Sequence, residues 1–289
     1  MSFITKINLA MLMVFAIGLS IAGYIANALL QENAKREVVE QASLMMDGAL
    51  AVRNYTIKEI KPLLIDQQER IFLPQTVPSY AATQNFNQLR KNQPEFMYKE
   101  ATLNPTNPRD RATDWESDII QQFRNREGLK ELIGERATPT GRSLYLARPI
   151  QIKNPDCLVC HSSLENAPAP MKALYGMANG YGWKLNEVIG SQIVSVPLSV
   201  PLAHANHVFN VFIASLISIF VVIFILINIL LKIFVVKPVQ KITSIADVIS
   251  KGGVTEDEFN VRGKDDIAKL SQSFNRMRRS LEKAMDMLK

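Results

Sequence analysis

Cys157-Leu158-Val159-Cys160-His161 is the run in this chain whose residue types and spacing announce a specific chemistry. C-x-x-C-H is the attachment signature of c-type haem. Two thiols at this spacing add covalently to the haem vinyl groups, and the adjacent imidazole becomes the proximal iron ligand. Cys157 and Cys160 are the only cysteines in 289 residues, and His161 is one of three histidines, which fits a single haem. Two plainer readings compete. A structural zinc needs four ligands, and the spare histidines, His204 and His207, stand far downstream. A C-x-x-C disulfide accounts for the thiols but leaves His161 without a role.

Covalent c-type haem is attached outside the cytoplasm, so the motif predicts export, and two apolar stretches provide for it. Lys6 and Glu32 bracket 25 uncharged residues, and His207 and Lys232 bracket 24 more. At about 1.5 Å per residue either stretch reaches roughly 36 Å, enough for a hydrocarbon core of about 30 Å with some tilt. Ala26-Asn27-Ala28 resembles a signal-peptidase site. The run is nevertheless longer than a signal core, and the polarity changes without a break into a helix-compatible segment, which favours an uncleaved anchor. The resulting organisation is a cytoplasmic N-terminus (1–6), a first membrane helix (7–31), an outer domain (32–206), a second membrane helix (208–231) and a cytoplasmic tail (232–289).

Charge sets the orientation. From Lys232 to Lys289 there are 12 Lys or Arg against 8 Asp or Glu, a net of +4, whereas the segment between the membrane helices carries 20 against 19. Lys232, Lys237 and Lys241 sit just past the second span, the positive-inside pattern. The overall charge of +6 therefore reflects membrane topology. No nucleic-acid motif or aromatic-basic interleaving points to a nucleic-acid partner.

In the tail, Ile242, Ile245 and Ile249 recur at spacings of three and four, and Lys251-Gly252-Gly253 reads as a helix stop. A polar connector follows, with Phe259 and Val261 as inward-facing anchors. A second helix opens at Asp265-Asp266, acidic residues suited to an N-terminal turn. Ile267, Leu270, Phe274, Met277, Leu281, Ala284 and Leu288 keep a/d heptad spacing. Two short helices cannot bury such seams alone, so dimerisation into a parallel four-helix bundle is expected. With Pro238 early in the first helix and Asp265-Asp266-Ile267-Ala268-Lys269-Leu270 opening the second, residues 232–284 resemble a HAMP domain, the linker after the last membrane helix of bacterial receptors. The resemblance implies a homodimer in a bacterial plasma membrane, outer domain periplasmic and both termini cytoplasmic. The chain stops at Lys289 still in heptad phase. It is expected either to lead a longer receptor or to work through a cytoplasmic histidine kinase, cyclase or other signalling partner.

The outer segment starts helical from Glu37 to Leu64, free of proline until Pro62. Its middle reads as loop-rich around Leu73-Pro74, Val77-Pro78 and Asn104-Pro105. Strands are expected over Phe96–Leu103, Ser143–Ile150 and Ile193–Val200, and a short helix over Trp115–Phe123. Pro197 argues for an edge position or an early end to the last strand. The order, helix first and then strands with a motif-bearing loop before the last one, predicts an α+β, PAS-like domain.

The segments Ala51-Val52-Arg53-Asn54-Tyr55-Thr56, Asn104-Pro105 to Trp115-Glu116, Gly141-Arg142-Ser143 to Arg148-Pro149-Ile150 and Cys157 to His161 resemble the bacterial c-haem-binding PAS-like family. That family includes soluble cytochromes and outer sensors of membrane receptors. The resemblance spans most of residues 40–200 and implies one covalent haem c on Cys157 and Cys160, with His161 on the iron. Some members supply a cysteine as sixth ligand, and this chain has none to spare. Met45 and Met46 on the outer helix are the favoured candidates. Met97, Met171, Met177 and Tyr55 are alternatives, core packing is the ordinary role of such methionines, and an open iron is equally compatible. Arg142 and Arg148 are candidates for the haem propionates, since guanidinium suits bidentate carboxylate binding. Gly176, Gly180 and Gly182 around Tyr181 and Trp183 predict a tight loop beside the haem. No phosphate-binding loop or kinase signature occurs, so no enzyme is expected. The favoured reading is a redox or gas sensor signalling across the membrane, and the alternative is an anchored mono-haem cytochrome.

Overall fold

The computed structural model describes residues 3–68, 70–139, 141–251 and 265–287. The chain forms two compact units, Ala26–Phe209 and Met1–Ile25 together with Asn210–Lys289. In the first, helix α1 (Phe3–Tyr55), which enters from the other unit, is built on a buried stripe. Val38, Ala42, Met46 and Ala49 recur at spacings of four, four and three and are fully buried, the period that keeps one helix face on a core. A π-helical turn, Thr56–Ile60, follows, then the short helical pieces α2 (Lys61–Leu63) and α3 (Ile65–Gln68). Helix α4 (Pro78–Leu89) starts with proline in its first turn, where a missing N–H is harmless, and buries Ala82 and Phe86.

Four antiparallel strands, β1 (Met97–Thr102), β2 (Leu132–Thr138), β3 (Gly141–Gln151) and β4 (Val188–Pro197), form one sheet in the order β1-β4-β3-β2. Tyr98, Val194 and Leu146 are cross-strand neighbours on one face, where they pack with Leu144, Val196, Leu198 and the buried residues of α1 and α4. The opposite face presents Ala101, Ile193 and Ala147 to helix α5 (Asp114–Asn125), which contributes Ile119, Ile120 and Phe123. Helix α5 is started by a reciprocal Thr113–Glu116 capping box. The buried Glu116 carboxylate also takes Lys99 Nζ at 2.7 Å.

β1, β3 and α5 fall within two residues of the elements read from the sequence. Two expectations need correction. The strand sought at Ile193–Val200 begins at Val188 and is central, not at an edge; it does end early, at Pro197, the other outcome that proline allowed. Pro197 is tolerated because it is the last paired residue, opposite Ser143. The segment read as loop-rich contains α4, and edge strand β2 joins the expected three. The β3–β4 connection carries the short helices α6 (Leu158–His161) and α7 (Ala169–Tyr175), and β4 leads into helix α8 (Ser199–Leu231). Gln31 donates to Asn206 at 2.8 Å, and Ala34 and Ala205 are buried nearby in sequence.

In the second unit α1 and α8 are long and apolar enough to cross a membrane. Phe15 stacks on Phe220 at 3.6 Å, and Asn8 donates to Asn228 at 3.0 Å, the kind of amide pair that satisfies polar groups in hydrocarbon. A second π-helical turn, Lys232–Val236, precedes α9 (Lys237–Ser250). Helix α10 (Asp266–Met287) is capped by Asp265, whose carboxylate accepts from the Ala268 N–H at 2.7 Å. Ile242 and Ile245 are buried against Ile249 and Phe274. The remaining inward positions of α10 are Ala268, Ser271, Asn275 and Arg278, so the heptad residues Leu270, Met277 and Leu281 stay exposed. Gly252, Gly253, Phe259, Val261, Leu288 and the side chain of Ala284 lie outside the described residues.

Candidate haem site

The C-x-x-C-H run lies in the long β3–β4 connection, whose two ends are tied together. Ile152 N–H donates to Glu187 O, and its carbonyl accepts from Asn186 N–H at 2.7 Å. Asn154 Oδ1 accepts from Asp156 N–H at 2.9 Å and starts the 3-10 turn Pro155–Cys157. The single turn of α6 follows directly. A helical turn brings residues three apart to one side, so Cys157 and Cys160 share a face and His161 projects beside them.

His161 is held from four directions. Its Nδ1 lies 2.7 Å from the Gly180 carbonyl and 3.4 Å from Thr106 Oγ1. Its ring stacks on Trp183 at 3.9 Å with an interplanar angle of 14°. Its carbonyl accepts from Trp183 N–H at 3.1 Å, and Ser162 O accepts from Gly182 N–H at 3.1 Å. A carbonyl only accepts, so Nδ1 carries the proton and the Nε2 lone pair is left bare. Burial lowers the His161 pKa, with the Gly180 hydrogen bond acting the other way. A neutral imidazole, oriented through Nδ1–H on a backbone carbonyl, is the form that ligates a metal.

The loop carrying Gly180 is fixed by β1's exit. Asn104 Oδ1 accepts from Gly180 N–H, and Asn104 Nδ2 donates to Tyr181 O, both at 3.0 Å. Arg111 donates to Asn179 Oδ1 at 3.1 Å. Gly180 has φ +89°, and a Cβ there would stand 2.8 Å from Thr106 Cα. Glycine is required on both counts.

Both thiols are free and half-buried. Burial raises their pKa values; Lys61 opposes this at both, and Arg53 opposes it at Cys157. Among the described residues no three His, Cys, Asp or Glu side chains cluster to hold a bare metal ion. The surroundings fit a larger group better. Trp183 Nε1 is buried with no hydrogen-bond partner, and a buried donor of this kind calls for an acceptor from outside the chain. Val159 and Met177 are each about two-thirds exposed, at 63% and 66%, apolar surface that a porphyrin would cover.

The other residues singled out from the sequence stand elsewhere. Arg142 pairs with Glu135, and Arg148 bridges Asp47 at 2.6 Å and Glu131 at 2.8 Å. Both guanidiniums are thus committed to carboxylates. Met46 is fully buried in the core under α1, and Met45 packs against that core. Met171 is fully buried on α7, whereas Met97, Met177 and Tyr55 are exposed, as are His204 and His207 on α8. Sequence reasoning did not assign roles to Asn104, Thr106 or Lys61. The signals for the first two were the Asn104-Pro105 loop punctuation and the family resemblance of the segment it opens, neither of which names a partner more than fifty residues away.

An antiparallel sheet with a helical layer on each face, its long β3–β4 connection carrying the motif, defines a PAS-like α+β domain, here joined by an apolar helix to a two-helix linker. The chain belongs to the Tll0287-like family, whose model matches residues 31–197, and a HAMP domain model matches residues 231–283. Among solved structures it is similar to that of the cyanobacterial heme-protein Tll0287, at 15% identity over 56% of this chain and 95% of that one, with a TM-score of 0.43. No curated protein matches the chain. The family supports haem binding, and the HAMP domain with two apolar helices fits a membrane protein of the signalling class.

Proposed function

We propose that this chain is a two-pass membrane sensor that reports the state of one covalently bound, extracytoplasmic haem c to the cytoplasm. Residues 7–31 and 208–231 span the membrane, 32–206 form the periplasmic sensor, and 1–6 and 232–289 are cytoplasmic. The observation that carries the reading is the geometry of His161. A neutral imidazole with Nδ1–H on Gly180 O and Nε2 bare stands directly after two free thiols on one turn of helix. In this reading Cys157 and Cys160 hold the cofactor by thioether bonds, and His161 Nε2 is the proximal ligand. Gly180, Thr106 and Trp183 fix the plane of the imidazole. Bound there, the haem would supply one-electron redox chemistry and the capacity to take a further ligand or a small gas. Met46 would have to leave its core packing to serve there, forfeiting about 1.5–3 kcal/mol of burial. That favours a sixth position not filled by Met46.

Signalling requires only that two haem states differ in free energy between two packings of the cytoplasmic bundle. The exposed stripe of Leu270, Met277 and Leu281 supports a second copy of the chain completing that bundle. The bundle in turn would drive a histidine kinase, cyclase or similar output, and the reading assigns no catalysis to the chain itself.

The test is the full-length protein made in cells that mature c-type cytochromes. Haem staining should survive a denaturing gel and vanish in the C157A/C160A double variant. H161A should keep the stain but lose the spectrum of an imidazole-ligated iron. A wild-type chain without covalent stain overturns the proposal. Rapid carbon monoxide binding by the reduced form assigns a gas sensor, and indifference to it assigns a redox sensor.

A further inference from the structure

Position 53 is the anomaly of the α1 stripe. Val38, Ala42, Met46 and Ala49 continue, at the same spacing, to Arg53 and then to the buried Thr56. A guanidinium therefore occupies a helical position where the pattern calls for a hydrophobe. It is ion-paired with Glu100, whose side chain is only 4% exposed. The other Glu100 oxygen accepts from Tyr98 O–H at 2.7 Å, and Tyr98 in turn accepts from Gln192 Nε2 at 3.0 Å. A buried ion pair of this kind adds little to stability over apolar residues of the same shape. Its presence asks for another role.

The sheet shows where the pair stands. On the α1 face, the apolar row Tyr98–Val194–Leu146 is followed, one pleat further along, by the polar row Glu100–Gln192–Arg148. After one more row β1 runs out to Asn104, which holds the Gly180 loop and through it His161. The motif segment reaches back to the same face. Tyr175 of α7 meets Phe72 edge-on at 5.7 Å, and Arg109, on the separate β1–α5 connection, lies over Tyr80 of α4 at 5.4 Å. Arg53 is therefore on the haem-side end of α1, and its positive charge is felt at the Cys157 thiol. Arg148 spends Nη1 and Nε on Asp47 and Glu131, and Arg142 pairs with Glu135 at the start of β3, six residues from that polar row, whereas Arg53, paired with Glu100 through Nη1, stands beside it. The guanidinium fork offers further donors for a second carboxylate.

Building on the haem reading, we propose that Arg53, braced by Glu100, contacts a haem propionate and is the point at which charge at the haem acts on α1. The arrangement makes a signed prediction. Removing the cation should disfavour the reduced haem, and removing the buried anion should favour it.

The experiment uses the full-length, haem-loaded protein in detergent and reads midpoint potential and propionate vibrational bands. R53Q should keep covalent haem stain while the oxidised-to-reduced ratio at a fixed potential rises about tenfold, equivalent to about 59 mV for a one-electron couple. R53K should restore most of the potential, and E100Q should move it the opposite way. The propionate bands should shift in R53Q and not in R142Q. A stained R53Q with unchanged potential, or R53Q and E100Q moving together, or unshifted bands in R53Q, overturns the proposal. Should R53Q fail to fold, E100Q alone still decides the sign: a potential that falls or stays unchanged in E100Q overturns the proposal. Absence of stain in the wild type is a separate result that removes the haem reading itself.

Discussion

Replacing Gly180 by alanine tests whether a single carbonyl positions the candidate iron ligand. Two penalties apply. An L-residue at φ +89° is in the left-handed region, worth about 1–2 kcal/mol. The new Cβ would also stand 2.8 Å from Thr106 Cα and against Thr106 Oγ1. The hydroxyl can rotate away, but the backbone Cα cannot, and forced overpacking adds about 1–3 kcal/mol. Gly182 provides the control. Its φ is +84° and nothing lies within 4 Å of its Cβ position, so G182A carries only the first penalty. At roughly 2–4 °C per kcal/mol for a domain of this size, G180A should melt about 2–12 °C below G182A. Because Gly180 O receives the Nδ1 proton of His161 at 2.7 Å, G180A should also disturb the iron–imidazole signature of the haem-loaded protein, and G182A should not. The assay is thermal denaturation of the detergent-solubilised full chain, paired with the Soret spectrum. G180A and G182A melting together with the same spectrum would refute the reasoning.

Trp183→Phe keeps a ring against His161 but removes the unpartnered indole N–H. Without haem it should be neutral or stabilising by up to about 1 kcal/mol; with haem it should be destabilising, and equal urea midpoints for wild type and variant in both states would count against an indole–haem contact. Glu116→Ala removes an acceptor shared by Thr113 N–H and Lys99, leaving Lys99 without its carboxylate. A loss of about 2–4 kcal/mol in urea unfolding is expected, and a loss below 0.5 kcal/mol would show that the capping box is dispensable. The lowered pKa of His161 sets a pH dependence for the haem-free protein. The unfolded chain binds that proton more readily, so stability is fully present above about pH 6.5 and falls as the pH drops below it. Urea midpoints of wild type and His161→Gln should converge toward acid, and parallel pH profiles would contradict the assignment.

Read without coordinates, the chain declared what depends on neighbours along it. The C-x-x-C-H motif is local because the attachment chemistry it would support uses residues close in sequence, so five letters carry it. The two long apolar helices follow from length and apolarity, the helical course of residues 37–64 from its scarcity of proline and glycine, and α5, β1 and β3 from local composition. Elements with little one-sided burial escaped. Helix α4 commits only Ala82 and Phe86 to the core, and edge strand β2 alternates without burying a residue fully. Of the α10 heptad, Phe274 packs on α9, and Leu270, Met277 and Leu281 remain exposed. What only the tertiary structure decided is how His161 is held and where the charge lies. Gly180 O and the Trp183 ring reach it across 19 and 22 residues, and Arg53 meets Glu100 across 47. No periodicity relates such positions, because β3, β4 and β1 meet only when the sheet closes. The buried cation in the α1 stripe looks, in one dimension, like a fault in the pattern, and acquires a partner only once β1 brings Glu100 beside it.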